Sequence, residues 1–336
     1  MLKILSDAQT VARCERLFIR RFRPFWDRKV PVKIGHQGAS FAAQAAWSER
    51  LGIWMAVREE QGRYGHIFGT TRPSPGGSVS IACEINFPQN GVDRRIGAAF
   101  ARDDSGRIYV IHRGKIGGGQ KGIGKNLFEK RYRGVWADLD EDGPLIMVAV
   151  VGEVGSPRFP RQVAQFVRKV TIIKDAVSTS ASAQTAMPLD DRRFLEELTG
   201  ERYEDMRPDL SRACDHALIV RDLAAALKGL GYRTGNDSHE DLFALNGGNR
   251  AATVFHINAD TRRRKIHEGI TRLFFSSLSR RGPCRLVLVV PEPPEALLRT
   301  RLQGLNIETL TYDWQDEVAV FAGLEALMYP AKGKRE

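Results

Sequence analysis

The stretch that decides the fold runs from Gly231 to Arg280 and reads GYRTGNDSHEDLFALNGGNRAATVFHINADTRRRKIHEGITRLFFSSLSR. Short apolar runs at Asp241–Leu245 and Thr253–Asn258 predict two strands, and the sequence Asn-Gly-Gly-Asn at 246–249 predicts a turn between them. Apolar residues at helical spacing predict a long helix from Thr261 to Ser279. An acidic residue therefore starts one strand, and polar residues end the next strand just before a helix.

The segments on either side extend this alternation of helices and strands. The sequence predicts a helix over Leu210–Leu230, an extended piece at Tyr232–Thr234, a strand over Cys284–Pro291, a helix over Pro294–Leu302, a strand over Ile307–Tyr312 and a closing helix over Glu317–Met328. The predicted order is α-β-β-β-α-β-α-β-α. Residues 189–336 are therefore expected to form one α/β domain.

This order of elements resembles the core of the PD-(D/E)XK nuclease superfamily, over roughly residues 208–328. In that superfamily a helix leads to a three-strand meander, which a crossover helix and a further strand follow. The pattern places an Asp at the start of the second strand, and Asp241 matches it. The pattern places Glu-x-Lys at the end of the third strand, where this chain has His256 and Asn258. The resemblance implies a restriction-endonuclease-like core with a degenerate motif.

The resemblance also implies which chemistry the site would carry out if it is active. Phosphodiester hydrolysis would use Mg²⁺ or Mn²⁺, with Asp241 as metal ligand and His256 and Asn258 beside it. Imidazole is a poor ligand for magnesium, and an amide cannot supply the charge of a lysine. Glu268 and Lys265 on the following helix could replace the missing carboxylate and cation. Three alternatives stay open: a decayed site, an active metal-dependent endonuclease with relocated residues, and a His-containing site that uses manganese or another softer metal.

Length and composition limit the class of protein. A chain of 336 residues predicts two domains. Its apolar runs are all shorter than the roughly 18 residues that a membrane span requires. The four cysteines are far apart and form no metal-binding or disulfide pattern. No apolar signal core is expected near the start. These features predict a cytoplasmic protein with no membrane partner.

The charge is concentrated in the first half of the chain. Residues 1–175 carry 29 Lys and Arg against 17 Asp and Glu, while residues 176–336 carry 22 against 23. Between the halves, residues 176–188 are small and uncharged, which is typical of a linker. A basic first domain attracts polyanions, and nucleic acid, above all DNA, is the expected partner. The sequence leaves a homodimer open.

The basic half, residues 1–175, is expected to be an α+β module rich in strands. Asp7 can cap a helix that carries Leu17 and Phe18. Helical spacing recurs from Arg161 to Val170. The segment Asp103–Gly106 is typical of a hairpin turn. Predicted strands cover Val30–Ile34, Ile53–Val57, Ser78–Asn86, Gly97–Arg102, Arg107–His112 and Leu145–Val151.

The first of two basic segments is Arg20–Lys29, which alternates arginines with Phe and Trp. Arg20, Arg21 and Arg23 could bind phosphates while the aromatic rings stack on bases. Alternatively, the aromatic side chains enter the core and only the arginines remain in solvent.

The second basic segment, His112–Arg133, is rich in glycine. Glycines let backbone N–H groups approach a phosphate. Residues 119–126 are one letter short of a P-loop, because Asn126 stands where Ser or Thr would hold magnesium. A nucleic-acid phosphate clamp, a nucleotide site and a mobile glycine loop stay open. The cations expected to contact phosphate are Arg113, Lys115, Lys121, Lys125, Lys130 and Arg131.

Together these patterns predict a two-domain, DNA-binding protein whose nuclease-like second domain has lost its chemistry. The alternatives are an active endonuclease of restriction or repair type and a nucleotide-binding enzyme. The stretches Glu84–Pro88 and Ile111–Gly119 are also similar to modules attached to nuclease-like domains in bacterial proteins, which indicates a prokaryotic origin.

Overall fold

The computed structural model describes residues 1–36, 39–117, 122–180, 209–237, 240–245, 251–278 and 284–329. Over these ranges the chain is mixed α/β and rich in strands, with seven α-helices and several sheets. The described residues form two compact units: the first holds the residues up to Ser180 together with 209–214, and the second begins at Asp215. None of the helices in these ranges is long and apolar enough to cross a bilayer.

The first unit is built mainly from short strands. Its helices are α1 (Ala8–Phe22), α2 (Lys125–Arg131) and α3 (Phe159–Ser180), and a 3₁₀ turn covers Arg23–Phe25. Its strands are β1 (Leu2–Ile4), β2 (Arg28–His36), β3 (Ala39–Ser48), β4 (Ile53–Glu60), β5 (Arg63–Gly69), β6 (Ser78–Ser80), β7 (Cys83–Glu84), β8 (Phe87–Pro88), β9 (Ala98–Arg102), β10 (Ile108–His112), β11 (Val135–Asp140) and β12 (Leu145–Glu153).

Five of these strands close into a small barrel, in the order β1-β11-β12-β10-β9. The barrel closes because β1 pairs in parallel with β11 and antiparallel with β9. The other strands form a seven-stranded sheet in the order β6-β2-β3-β4-β5-β7, with β8 also paired to β5. Buried apolar side chains of both sheets pack with α1 and α3 in one large core cluster. The α+β, strand-rich character expected of the basic half is therefore present.

Helix α1 begins where the sequence predicts. Asp7 has an extended backbone, and its carboxylate accepts a hydrogen bond from the Thr10 backbone N–H at 2.7 Å. This cap satisfies a donor that the first helical turn leaves open. Phe18 and Phe22 on the inner face are buried, with ring centroids 5.3 Å apart. The outer face of α1 stays in solvent.

The predicted hairpin at Asp103–Gly106 is confirmed, since β9 and β10 pair antiparallel around it. The Asp103 carboxylate accepts hydrogen bonds from the backbone N–H groups of Ser105 and Arg107. Gly106 has a φ of +86°, which a residue with a side chain rarely adopts. The turn therefore uses an Asx-type contact and a left-handed glycine.

Other predictions for the first half need correction. The expected strand over Ser78–Asn86 is interrupted, since only Ser78–Ser80 and Cys83–Glu84 are paired. Strands β3, β5 and β11 were not anticipated. Residues 176–180, which were expected to be linker, continue helix α3 to Ser180. The rest of the predicted linker, residues 181–188, lies outside the described residues.

The second unit contains one sheet covered by helices. Its elements are α4 (Leu210–Gly229, from Asp215 on in this unit), β13 (Arg233–Gly235), β14 (Leu242–Leu245), β15 (Ala251–Ile257), α5 (Arg263–Leu278), β16 (Arg285–Val290), α6 (Ala296–Gly304), β17 (Ile307–Gln315), β18 (Val318–Ala322) and α7 (Leu324–Met328). The sheet has six strands in sequential order, β13 to β18. The predicted turn at 246–249 lies outside the described residues.

The direction of the strands follows from their connections. β13, β14 and β15 pair antiparallel, as a meander does. Helix α5 then carries the chain across, so β16 runs parallel to β15, and β17 runs parallel to β16. Alternate residues of each strand enter different cores. Phe255 and Val287 pack with α4, whereas Val254 and Leu288 pack with α5 and α6.

The prediction of a closing helix over Glu317–Met328 is wrong for its first half. Residues 318–322 form β18, which pairs antiparallel with β17, and only Leu324–Met328 is helical. Asp316 has a φ of +55° and allows the tight reversal between the two strands. In β18 Ala319 and Phe321 are buried while the intervening residues are exposed, which is the period of a strand.

Candidate functional site

Asp241 lies directly before β14, beside the end of β15. The register pairs Leu242 with Phe255, which places Asp241 next to His256 on the neighbouring strand. Its Oδ2 atom is 2.8 Å from Nδ1 of His256 and accepts a hydrogen bond from the Ile257 backbone N–H at 2.9 Å. The structure therefore brings together two of the residues predicted for the site.

His216 on α4 is a third member of this cluster. Its Nε2 is 3.6 Å from Oδ1 of Asp241, and the whole residue is buried. Sequence analysis did not place His216 among the site residues, although it lies within the helix predicted over Leu210–Leu230. Its position three residues after Ala213 and four before Val220, on the buried face of α4, is the signal that could have found it.

The histidines set the charge of Asp241. Burial raises the pKa of this carboxyl group, but attraction to His256 and His216 and the close contact with Nδ1 of His256 outweigh burial. The pKa consequently lies well below the usual value of an aspartic acid. Asp241 is a carboxylate at neutral pH, and Nδ1 of His256 carries the proton that points to it. Such a carboxylate fixes the tautomer and orientation of an imidazole.

Asn258 is placed by the start of α5. Its side-chain N–H₂ donates to the Lys265 backbone carbonyl at 3.0 Å, and its backbone N–H donates to Val289 at 2.8 Å. Gly269 of α5 packs on the same side of the sheet, because a Cβ there would lie 2.7 Å from His256 and 3.3 Å from Asn258. Both polar residues are therefore enclosed beneath the helix.

Lys265 and Glu268, the residues considered as substitutes on the helix, bind each other. The Lys265 amine is 2.8 Å from one carboxylate oxygen of Glu268, and Arg264 is 3.1 Å from the other. Burial raises the pKa of Glu268, but the hydrogen bonds and charges of Lys265 and Arg264 outweigh it and lower the pKa. The Asn258 side chain thus contacts only the backbone carbonyl of Lys265 in this pair of residues. The Lys265 side chain instead forms an ion pair with Glu268.

The oxygen donors of this region do not fit a magnesium site. Magnesium requires several oxygen ligands in octahedral geometry. Asp241 is the only carboxylate in contact with His256 and His216 in the described part of the chain. The buried carboxylate of Asp260 is bound by the Arg262 guanidinium at 2.7 Å. Among the described residues, no group of three or more His, Cys, Asp or Glu side chains is arranged to hold a metal ion.

The first unit presents a different kind of surface, on helix α1. Arg20 is exposed, as is Arg23 just after the helix. Arg21 instead turns to the protein, since its Nε donates to the Val154 carbonyl at 3.0 Å and its Nη2 donates to the Gly155 carbonyl. Two of the three arginines predicted to contact phosphate in this segment are therefore available to a ligand, and the third holds a loop.

Arg13 and Arg16 complete this surface, and sequence analysis missed them. Together with Arg20 and Arg23 they lie at spacings of three, four and three residues, which place them on one side of a helix. All four residues are exposed, and none forms an ion pair with a described residue. We call Arg13, Arg16, Arg20 and Arg23 the arginine stripe.

The aromatic residues between these arginines do not form a stacking surface. Phe22 and Phe25 are buried in the main core of the first unit, and Trp26 packs partly against it. The second alternative from the sequence, in which the rings enter the core and the arginines stay in solvent, therefore describes this segment.

Arg113, in the glycine-rich segment, is a structural residue. It is buried, and its guanidinium contacts the Glu141 carboxylate and the carbonyl oxygens of Ile96 and Ala98. These partners occupy the donors that a phosphate would need. The expected phosphate contact of Arg113 is therefore replaced by a buried ion pair that joins two loops.

The remaining cations of that segment have varied surroundings. The Lys115 amine donates to the Arg94 carbonyl. Lys125, the first residue of the seven-residue helix α2, is 3.4 Å from Glu129 one turn later. Lys130 and Arg131 are exposed in the last turn of α2. Lys121, Gly118 and Gly119 lie outside the described residues, whereas Gly122 has a φ of +83° and Gly124 precedes α2.

The geometry thus separates two regions of different chemical character. In the second unit, Asp241 belongs to a buried cluster whose described His, Cys, Asp and Glu side chains form no group of three that could hold a metal ion. In the first unit, four guanidinium groups share an exposed helix face. Comparisons with family models, with curated proteins and with solved structures find no match to this chain.

Proposed function

We propose that this protein binds DNA through its first unit and that its second unit is a restriction-endonuclease-like domain that no longer cuts. The observation that carries the proposal is the arginine stripe of α1. It is exposed, and it lies in the half of the chain that holds the net positive charge.

The stripe suits a phosphate backbone for two reasons. Each guanidinium presents several N–H donors in a plane, which match the oxygens of a phosphate. A row of positive charges along about three helical turns also follows the regular spacing of charge on nucleic acid, and binding it releases counterions. None of the four stripe arginines forms an ion pair with a described residue, so their positive charge is available to a polyanion.

The order of elements in the second unit supports the nuclease-like part of the proposal. Helix α4, the meander β13–β15, the crossover helix α5 and the parallel strand β16 follow one another as the superfamily pattern requires. Asp241 lies at the start of the second strand of the meander. His256 and Asn258 lie on the third strand and directly after it.

The surroundings of these residues support loss of catalysis. Both carboxylate oxygens of Asp241 contact protein groups, namely His256, His216 and the Ile257 backbone N–H. Asn258 brings no positive charge to the site. Metal-assisted hydrolysis of a phosphodiester needs oxygen atoms that can bind the metal ion, and the described residues of this cluster do not offer them. We infer that the second unit positions DNA or mediates assembly.

Salt-dependent DNA binding tests the proposal. The apparent affinity for a labelled duplex is measured by fluorescence anisotropy over a series of salt concentrations, for the full chain and for a variant with the four stripe arginines changed to Gln. We expect the magnitude of the log–log salt slope to fall by roughly 3 to 4, about 0.9 per lost phosphate contact.

A matched control removes the same charge from another place. Lys228, Arg233, Arg299 and Arg301 are exposed residues of the second unit, and changing all four to Gln lowers the net charge equally. This control is expected to keep most of the salt slope. Equal losses of slope in both variants would mean that only net charge matters, and an unchanged slope in the stripe variant would refute the stripe as the interface.

A further inference from the structure

A polar cavity of ≈ 360 Å³ opens in the first unit, beside the seven-stranded sheet. Strands β4 and β5, the loop after β10 and helix α3 contribute to its wall. Its volume lies in the range of small-molecule sites. The cavity has no residue in common with the arginine stripe or with the Asp241 cluster, and the inference drawn from it goes beyond DNA binding.

The charged wall of the cavity favours a dianion. Four cationic residues and two carboxylates line it, which leaves a formal excess of two positive charges. These residues are Arg58, Arg63, Lys115, Lys174, Glu60 and Glu84. A phosphate monoester carries about −1.5 to −2 charges at neutral pH, so its charge complements this wall.

One side of the cavity holds two guanidinium groups in place. Oε1 of Glu60 lies 3.1 Å from Nε of Arg58 in an ion pair, and the Glu60 carboxylate also binds the guanidinium of Arg63. Each arginine has five N–H donors, more than Glu60 can accept. Two guanidinium groups oriented by one carboxylate are a preformed arrangement for phosphate oxygens.

The other side combines a lysine with fixed hydrogen-bonding groups. Lys174 of α3 is partly buried, and this burial lowers the pKa of its amine, although Cys83, Glu84 and Asp175 partly offset the effect. Asn86 accepts from the His66 backbone N–H at 2.9 Å and donates to Glu84 at 2.7 Å. The amide and the carboxylate are therefore ordered before any ligand arrives.

We propose that this cavity is a binding site for a nucleoside monophosphate. The cations bind the phosphate, Glu84 and Asn86 bind polar groups of the sugar or base, and the partly buried Ile81 of the wall contacts the face of the base. A free nucleotide and the 5′-phosphorylated end of a nucleic-acid strand present the same chemistry.

The test measures binding by calorimetry with the full chain. The probes are the four ribonucleoside and four deoxyribonucleoside monophosphates, inorganic phosphate, and a trinucleotide with or without a 5′-phosphate. We expect at least one nucleoside monophosphate to bind more tightly than inorganic phosphate, by roughly tenfold or more. Tighter binding of the 5′-phosphorylated trinucleotide than of the free nucleotide would assign the site to a strand end, and the reverse would assign it to a free nucleotide.

Two variants and one control locate the binding. A Cβ at Gly35, in the cavity wall, would meet no atom within 4 Å, so Gly35→Trp adds bulk without a backbone clash. Lys174→Met removes the positive charge and keeps a side chain of similar length. Both should weaken nucleotide binding roughly tenfold or more. Lys33→Met, at an exposed position of β2 outside the cavity, should leave binding unchanged. Thermal melting confirms that each variant folds.

Two outcomes would overturn the proposal. One is that none of the nucleoside monophosphates binds more tightly than inorganic phosphate. The other is that nucleotide binding survives unchanged in both folded cavity variants. Neither outcome depends on the arginine stripe, because the stripe is tested by the salt slope of duplex binding.

Discussion

The carboxylate of Asp241 contacts His256, His216 and the Ile257 backbone N–H, so its removal affects three groups at once. Removing one member of a buried ionic cluster costs about 3–5 kcal/mol, because the other members lose their compensating charge. We therefore expect Asp241→Asn to lower the free energy of unfolding by about 2–4 kcal/mol, since the amide keeps one acceptor oxygen. Urea unfolding measures the change.

The exposed Asp313 of β17 is the matched control for this substitution. Asp313→Asn should change stability by less than about 0.5 kcal/mol, as surface substitutions usually do. A difference below about 1 kcal/mol between the two variants would show that Asp241 is not the centre of a structural cluster.

Gly269 allows α5 to approach the site residues closely. A Cβ at this position would lie 2.7 Å from His256 and 2.8 Å from Leu288, closer than real contacts allow. His256 is held by Asp241 and cannot easily move away. Gly269→Ala should therefore destabilise the protein by about 1–3 kcal/mol, although alanine favours helices.

Gly229 at the end of α4 provides the comparison. Its added Cβ would meet nothing within 4 Å, so Gly229→Ala should be neutral or stabilise by up to about 1 kcal/mol. Thermal unfolding of both variants measures the contrast. Stabilisation by Gly269→Ala would contradict the tight packing of α5 over His256.

His112 makes the stability of the first unit depend on pH. Burial lowers the pKa of this histidine from its ordinary 6.5 to about 4 in the folded protein, with smaller effects from nearby charges. Between these values the unfolded chain binds more protons than the folded chain, so stability is lost as the pH falls. Up to about 3 kcal/mol is expected to disappear between pH 6.5 and 4.

Asparagine at position 112 removes this titration but keeps an acceptor for the Gly114 backbone N–H, which His112 binds through Nδ1 at 3.0 Å. Unfolding free energies at pH 7 and pH 4.5 should differ less for His112→Asn than for the unmodified chain. An identical loss in both proteins would show that His112 is not responsible.

The sequence could predict part of the site. The spacing of His256 and Asn258 predicts that both lie on one side of the sheet, and their shared contact with Gly269 agrees with this. The contact of Asp241 with His216 depends on how α4 packs against the sheet, which local spacing does not determine. Likewise, the burial of Arg113 by Glu141 depends on two loops that are distant in sequence.

At the scale of elements, helix α1 divides its arginines between two tasks. Arg20 lies on the exposed stripe, whereas Arg21 holds the Val154 and Gly155 carbonyls. Arg20→Gln should weaken duplex binding and reduce the salt slope by roughly 1 without changing stability. Arg21→Gln should leave the slope unchanged and cost about 1–2 kcal/mol of stability.

Anisotropy titrations and urea unfolding of these two variants check both expectations. The two substitutions are chemically identical and adjacent in sequence. A difference in their effects therefore reflects the different faces of the helix on which the two arginines lie. A larger loss of binding for Arg21→Gln than for Arg20→Gln would contradict the placement of the interface on the stripe.

Local signals explain which elements could be predicted. The cap at Asp7 and the hairpin at Asp103–Gly106 have side-chain contacts within a few residues, and both predictions are confirmed. Strand β3 (Ala39–Ser48) is rich in alanine, which does not favour strands, and pairing with β2 and β4 overrides that tendency. The order of strands in the barrel depends on pairs such as β1 and β11, which no local pattern predicts.

For the whole molecule, the proposed DNA-binding surface and the proposed nuclease-like domain belong to different units. The first unit is basic and exposes the stripe, and the second has a six-stranded sheet beside the buried Asp241 cluster. Because the Asp241 cluster and the stripe belong to different compact units, substitutions in the two are expected to have additive effects on stability and on binding.

A single gel assay tests the central claim most directly. Labelled duplex DNA is incubated with the full chain or with Asp241→Ala, in Mg²⁺, in Mn²⁺ or in chelator, and each sample is run on a native and a denaturing gel. We predict a shifted but intact duplex in every lane, with the same shift for both proteins. Metal-dependent cleavage by the unmodified chain that disappears in Asp241→Ala would contradict the account.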